Sequence, residues 1–353
     1  MTLTDLLRMT QELGASDLFL KEGAPAEFRV NGRIQSMEGG APLTAQEVEA
    51  LLMPRLSERQ RRHYEDHHEI DLGFTEPGIA RFRGNFYQQR GSMSAVLRRI
   101  PLEMPHLEDL GMPPVLSELP KYRQGLILIT GPTGSGKSTT LAAMINQINE
   151  GRPCNIVTIE DPIEFVHQDK KAIVSQREVG IDTASFQSAL RVVVRQSPDV
   201  ILIGEMRDPE TMTVALQASE TGHLVFSTVH TPSASETMDR IVNMFPPHEK
   251  QQIALRMSNS LRGIVSQKLV PKADGAGRLP GVEVMINTPT VAKLIEEARF
   301  SQVYGAIQEG SYWGMQTMNQ CLLRYYKSGL ITEEDALAYA GNITELRQLI
   351  RRP

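Results

Sequence analysis

The chain has 353 residues, 41% hydrophobic and 22% charged, with a formal net charge of -5. That length exceeds one ordinary core and favours two domains, or one large domain with additions. The charge balance supplies no global pull toward nucleic acid, no apolar run approaches a membrane span, and the first residues lack a secretory signal. A cytoplasmic protein with no transmembrane segment and no nucleic-acid partner is expected.

In chain order, Thr4 to Leu13 places Leu6, Leu7, Met9 and Leu13 at helical spacing. Short strand-like pieces follow at 17–20, 28–30, 81–83 and 94–97, and Asn31-Gly32 between Val30 and Ile34 marks a hairpin turn. These pieces predict a small α+β domain over residues 1–100 with a mostly antiparallel sheet. Pro101, Pro105, Pro113, Pro114 and Pro120, with Gly111, predict a linker over 101–122. Over 123–353 apolar strands alternate with amphipathic helices, the pattern of a parallel sheet with crossover helices. From about Pro289 the chain is helix-rich, and Thr332 is placed to cap a helix reaching Ala340.

The strongest motif is Gly131-Pro132-Thr133-Gly134-Ser135-Gly136-Lys137-Ser138, followed by Thr139. It fits a phosphate-binding loop only if a strand precedes it and a helix follows. Leu126 to Ile129 is an apolar run of buried-strand type, and Leu141, Met144, Ile145 and Ile148 recur at helical spacing. The glycines allow successive N–H groups to converge on phosphate oxygens at a helix start. Lys137 then reaches the β/γ-phosphates of ATP, and Ser138 is a ligand for Mg²⁺.

Three further constellations follow predicted strands in this domain. Ile156 to Ile159 precedes Glu160-Asp161-Pro162-Ile163-Glu164. Val200 to Ile203 precedes Gly204-Glu205-Met206-Arg207-Asp208, where Glu205 suits an acid that holds Mg²⁺ through water. Asp208-Pro209 reads as a helix N-cap with proline at the first helical position. Gly222-His223-Leu224-Val225-Phe226-Ser227-Thr228-Val229 ends in His230, a candidate γ-phosphate sensor. Taken singly, each acid is equally well a helix cap and each histidine a structural residue. Together with the phosphate loop they point to a hydrolase site.

GPTGSGKSTTLAAM, TIEDPIEFVH, ILIGEMRDPET and TGHLVFSTVHT resemble the Walker A, Asp-box, Walker B and His-box of the secretion ATPase superfamily. Within it the chain resembles the type IV pilus retraction ATPases of the PilT/PilU family, from DLLRMTQELGASDLFL through RFRGN and AVLRRIP to GMQTMNQCLL. The resemblance implies an α/β fold, with a RecA-like P-loop ATPase domain preceded by a small PAS-like α+β domain. It also implies a homo-hexamer that hydrolyses ATP with Mg²⁺, peripheral at the inner membrane, working on a pilus through a platform protein. By the same resemblance Glu164 is the water-activating glutamate, Glu205 the Walker B acid near Mg²⁺, and His230 and His223 belong to the His-box. The division between the two glutamates stays open, since either can order the same water. Arg81, Arg83 and Arg98 match arginines that lie near the nucleotide in the family as charge stabilisers; a solvated strand face is the alternative.

One stretch departs from the PilT pattern. Where those enzymes carry an AIRNLIRE-like segment, this chain has Thr290-Val291-Ala292-Lys293-Leu294-Ile295-Glu296-Glu297, so both arginines are replaced. The tail GLITEEDALAYAGNITELRQLIRR is similar to PilU. An accessory motor working with a PilT-type paralogue is therefore expected. The competing readings are a pilus-assembly or type II secretion ATPase, a low-turnover ATP-binding ring subunit, and a nucleic-acid motor. Assembly enzymes usually carry a four-cysteine zinc site, whereas Cys154 and Cys321 lie far apart and outside any C-x-x-C. His63, His67 and His68 lie in a highly charged stretch that suits a solvated helix better than a metal site. The sixteen methionines suit adaptable core filling, and Trp313 is either a packing anchor or a subunit contact.

Overall fold

The computed structural model describes residues 1–30, 32–100 and 104–351, and the chain forms two compact units. The first holds the described residues up to Ile100 together with Pro162–Val166.

Three helices, α1 (Leu3–Glu12), α2 (Ala45–Leu52) and α3 (Glu58–His67), each start with a capping box on Thr2, Thr44 and Ser57. In each box the hydroxyl accepts the third helical N–H while the third side chain returns to the cap, so otherwise orphan donors are satisfied. The strands are β1 (Asp17–Leu20), β2 (Glu27–Val30), β3 (Arg33–Ser36), β4 (Glu69–Glu76), β5 (Ala80–Gln89) and β6 (Ser92–Ile100). They form an antiparallel sheet in the order β3-β2-β1-β6-β5-β4. Val30 pairs with Arg33 and Gly32 has φ +80°, so a hairpin joins β2 and β3; Asn31 lies outside the described residues. Alternation places Leu18, Leu20, Phe28, Phe82, Phe86 and Leu97 in one core with Leu6 and Leu7 of α1. Each such buried side chain stabilises the fold by about 1.5–3 kcal/mol. Strand β4 and helix α2 were not anticipated from the sequence, whereas α3 is the charged helix expected around His63 and His67.

The second unit begins with three short 3₁₀ turns between Leu107 and Lys121, each of the last two carrying a proline in its first turn. Leu107, Leu116 and Leu119 are buried in this unit's core, so the proline-rich stretch is anchored to it at these three positions. Its strands are β7 (Gly125–Thr130), β8 (Asn155–Glu160), β9 (Ile173–Glu178), β10 (Val200–Ile203), β11 (Leu224–Val229), β12 (Leu261–Pro271) and β13 (Arg278–Ile286). The order is β13-β12-β7-β11-β10-β8-β9, parallel throughout except for β12 with β13. Leu126 and Leu128 enter one core while Ile127 and Ile129 enter another, and β10 and β11 divide in the same way. A sheet covered on both faces explains why these strands read as continuous apolar runs.

Crossover helices α4 (Lys137–Gly151), α5 (Phe186–Val193), α6 (Pro209–Glu220), α7 (Ala234–Asn243) and α8 (Lys250–Ser260) pack against the sheet. The C-terminal region adds α9 (Pro289–Glu296), α10 (Val303–Glu309), α11 (Met318–Lys327), α12 (Glu333–Ala338) and α13 (Ile343–Arg351). Thr332 caps α12 by accepting from the Asp335 N–H at 3.0 Å. Among the described residues no helix is long and apolar enough to cross a membrane.

Candidate active site

The phosphate loop leaves β7 and enters α4, the context its motif requires. Gly131, Gly134 and Gly136 hold φ of +142°, +76° and +89°, conformations that side chains resist. A Cβ on Gly131 would lie 2.3 Å from the Gln267 carbonyl oxygen and 2.7 Å from Ser135 Oγ. The closeness comes from β12, which pairs with β7 and brings Ser266 and Gln267 against the loop. Thr130 Oγ1 donates to Ser266 Oγ at 2.9 Å, tying the strand ends together.

Gly136 caps α4 with no side-chain acceptor, so the first helical N–H groups face the loop. Lys137 is buried and its Nζ donates to the carbonyls of Gly131 and Pro132 at 2.8 and 2.9 Å. The cation is thus folded over the cradle its own loop makes. Ser138 and Thr139 are half-buried in the first turn of α4. Ser135 Oγ and Thr140 Oγ1 are buried polar atoms with no hydrogen-bond partner among the described residues. These features fit a bound polyphosphate with its cation, for which Ser138 would supply the hydroxyl ligand.

Glu205 follows β10 in a turn held by β11: Met206 N–H donates to the Thr228 carbonyl at 3.1 Å and Thr228 Oγ1 donates to the Gly204 carbonyl at 2.7 Å. Its carboxylate takes Arg207 Nη2 at 2.6 Å on one oxygen and His230 Nε2 at 3.4 Å on the other. Burial opposes its charge, but Arg207, His230 and Lys137 outweigh burial and hold the carboxyl below the usual range. His230 is pushed below its ordinary value of 6.5 by burial and by Lys137, with Glu205 pulling the other way, so the ring is neutral at pH 7. Arg240 Nη1 donates to the His230 carbonyl at 2.9 Å and fixes its backbone. Phosphate loop, Walker B acid and His230 therefore stand together at the C-terminal ends of parallel strands, where open α/β sheets bind ligands.

Other expected residues fall elsewhere. His223 precedes β11, six residues long, so it is at the opposite end of that strand from His230, roughly 20 Å away. Its Nδ1 contacts the Ala218 carbonyl at 2.9 Å and ties down the end of α6. Asp208 caps α6, accepting from the Thr211 N–H at 2.7 Å, with Pro209 first in the helix.

Glu164 is exposed in the segment Pro162–Val166, which belongs to the first unit. There Arg81 Nε donates to the Ile163 carbonyl at 3.4 Å, next to the acid. Arg83 and Arg98 are cross-strand neighbours, and the same register row continues through Asp17 to Arg29. Buried Asp17 takes Arg98 Nε at 2.9 Å and Arg29 Nε at 3.3 Å, so Arg98 is already engaged by an acid of its own sheet.

Helix α3 is solvated, with the His63 and His67 rings stacked at 4.2 Å. Among the described residues no His, Cys, Asp or Glu group is arranged to hold a metal. Trp313 is 53% exposed and packs edge-to-face on Tyr312 at 5.3 Å. Arg207 and Gln267 were not anticipated as site residues. The spacing Glu205-x-Arg207 at a strand end was a usable signal for the first, whereas nothing local announces the second.

The family described as type II/IV secretion system protein matches residues 4–333. The chain belongs to this family, in its pilus-retraction ATPase branch. It is 47% identical to the type IV pilus retraction ATPase PilT of Pseudomonas aeruginosa over 336 residues, 95% of this chain and 97% of that one. It is 42% identical to the type IV pilus ATPase PilU of the same organism, over 98% of this chain and 90% of PilU. A crystal structure of the pilus retraction motor PilT with bound ADP superposes with a TM-score of 0.93 at 45% identity, covering 99% of both chains. A RecA-like ATPase unit preceded by an antiparallel α+β unit is thus the fold of this pilus-retraction family member.

Proposed function

We propose that this chain is a homo-hexameric motor that hydrolyses ATP with Mg²⁺ to drive type IV pilus retraction and twitching. The observation that carries this reading is the convergence of the glycine cradle, Lys137 and the Glu205–His230 contact at one end of a parallel sheet, in a chain matching retraction ATPases along almost its whole length.

The loop N–H groups and the α4 N-terminus bind the phosphates, and Lys137 exchanges its carbonyl partners for β/γ-oxygens. Mg²⁺, carried in with ATP, neutralises phosphate charge; Ser138 and Glu205 are the residues that would hold it, Glu205 through water. The carboxylate of Glu205 stays ionised because Arg207 and Lys137 favour its charge. Neutral His230 offers an N–H toward the γ-phosphate end and relays its state through the Arg240 link to α7. Glu164 activates the attacking water, and Arg81, Arg83 and Arg98 stabilise the developing charge, with Arg98 shared with Asp17. Work is delivered to a platform protein of the inner membrane, where the motor is peripheral. Replacement of two arginines in α9 supports an accessory role beside a PilT-type partner.

Deleting the gene, alone and with its paralogue, and counting surface pili tests the reading. Extra surface pili with impaired twitching are expected. Loss of surface pili would overturn it in favour of an assembly ATPase.

A further inference from the structure

The loop that carries Glu164 leaves β8 at Glu160 and returns at His167. Both positions are held by one side chain. Gln176 of β9 donates from Nε2 to Glu160 Oε1 at 3.1 Å and accepts the His167 N–H on Oε1 at 2.7 Å. Strand register makes this possible: Gln176 lies opposite Thr158, and Thr158 and Glu160 share a face of β8 by the two-residue repeat. Thr158 Oγ1 donates to the same Glu160 oxygen at 2.6 Å, which fixes the carboxylate that Gln176 grips.

The chemistry calls for an amide. Toward Glu160 the side chain must donate, because an ionised carboxylate only accepts; toward the His167 N–H it must accept. Leucine offers neither group, and glutamate keeps the acceptor but sets a second carboxylate against Glu160. The partners thereby define which end of the amide is oxygen. Between the two clamped positions lie only residues 161–166, with Glu164 among them.

We propose that Gln176 is a positioning residue for hydrolysis, which sets the placement of Glu164 by closing the base of its loop. This rests on the reading of Glu164 as the water-activating acid. Gln176 touches no reacting atom. Its loss should therefore leave nucleotide capture, a property of the loop after β7, unchanged, and should slow the chemical step. A displacement of the acid by about 1 Å is enough to cost up to a hundredfold in rate.

The test is steady-state ATP turnover of Gln176→Leu and the isosteric Gln176→Glu, beside wild type and Glu164→Gln, in the full chain. Both Gln176 variants should lose at least about tenfold in kcat with KM for ATP within about threefold. In the wild type, hydrogen exchange should find the His167 amide protected, a measurement that needs no variant to fold. The clamp is overturned by kcat within twofold of wild type in either Gln176 variant while Glu164→Gln is inactive. It is equally overturned by kcat and KM shifting together, or by a His167 amide that exchanges freely. Wild-type turnover in Glu164→Gln would instead overturn the reading of that acid.

Discussion

His230 Nε2 stands 3.4 Å from Glu205 Oε1, so the residue that follows β11 meets the acid that follows β10. The two groups move each other's proton equilibria in opposite directions. Glu205 raises the proton affinity of His230, while burial and Lys137 lower it. Glu205→Gln removes the favourable charge, so the His230 titration followed by NMR should move to still lower pH. The variant should bind ATP but lose hydrolysis, since the amide keeps the shape without the charge. A His230 titration unchanged by Glu205→Gln would show that the pair does not interact in solution.

Lys137 places a positive charge at the phosphate cradle, where its own loop carbonyls hold it. Lys137→Ala should abolish turnover and weaken ATP binding by about tenfold to a hundredfold, the range for a charge-assisted hydrogen bond of roughly 1.5–3 kcal/mol. Titration with a fluorescent ATP analogue measures the affinity. Undiminished binding would assign phosphate capture to the backbone alone.

The glycines of the loop differ in what fills the space around them. At Gly131 an added Cβ meets the Gln267 carbonyl, whereas at Gly134 it meets nothing within 4 Å. Gly134→Ala carries only the backbone penalty, about 1–2 kcal/mol. Gly131→Ala must also displace β12, so it should lower the melting temperature further and cost more ATP affinity. Equal effects from the two substitutions would mean that β12 does not support the loop.

That contact also marks where sequence reading stops. The loop was legible because glycine spacing, a buried-strand run before it and a helical period after it are local. The strands β7, β8, β10 and β11 were legible because a sheet covered on both faces demands apolar runs. Gln267 contacts Ser135 from 132 positions away, and Asp17 captures Arg98 from 81 positions away; no local pattern encodes either. Pro114 and Pro120, read as part of a linker over 101–122, lie in the first turns of 3₁₀ helices whose Leu116 and Leu119 are buried in the core. The sequence already sets His223 before and His230 after this strand, and the length of β11 keeps them apart.

Glu283 of β13 is a buried carboxyl whose oxygen accepts the Ala234 N–H at the start of α7 at 2.8 Å; it also accepts from Met318 at the start of α11. Burial pushes its pKa up from 4.5 to about 7 against these hydrogen bonds and Lys268, with Glu236 adding to the rise and Tyr304 also in range. A raised carboxyl favours the folded state fully below about pH 4.5, and that advantage is lost as pH rises through about 7. The interval corresponds to on the order of 3 kcal/mol. Glu283→Gln keeps an acceptor and cannot ionise, so its stability relative to wild type should rise between pH 5 and pH 8 in urea unfolding. A pH-independent difference would show that the Glu283 proton is not linked to folding.

In α9, Ala292 and Glu296 stand one helical turn apart and so share a face, in the segment where PilT-type enzymes carry two arginines. Glu296 is held there: Lys293 Nζ lies 3.4 Å from its carboxylate and Gln251 Nε2 donates to its carbonyl at 2.8 Å. Arginine on that face would offer planar, permanently charged donors; alanine offers nothing, and glutamate repels an acidic partner. Identity of 47% to PilT and 42% to PilU, over 95% and 98% of the chain, does not itself divide the two roles. The proposed accessory role rests instead on the local change, which inverts the charge of one patch. Expressed alone in a strain lacking PilT, this gene should fail to restore twitching, and it should support retraction once a PilT-type partner is returned. The double substitution Ala292→Arg with Glu296→Arg should then gain partial rescue without that partner. Full rescue of twitching by the unmodified gene alone would make this chain a self-sufficient retraction motor.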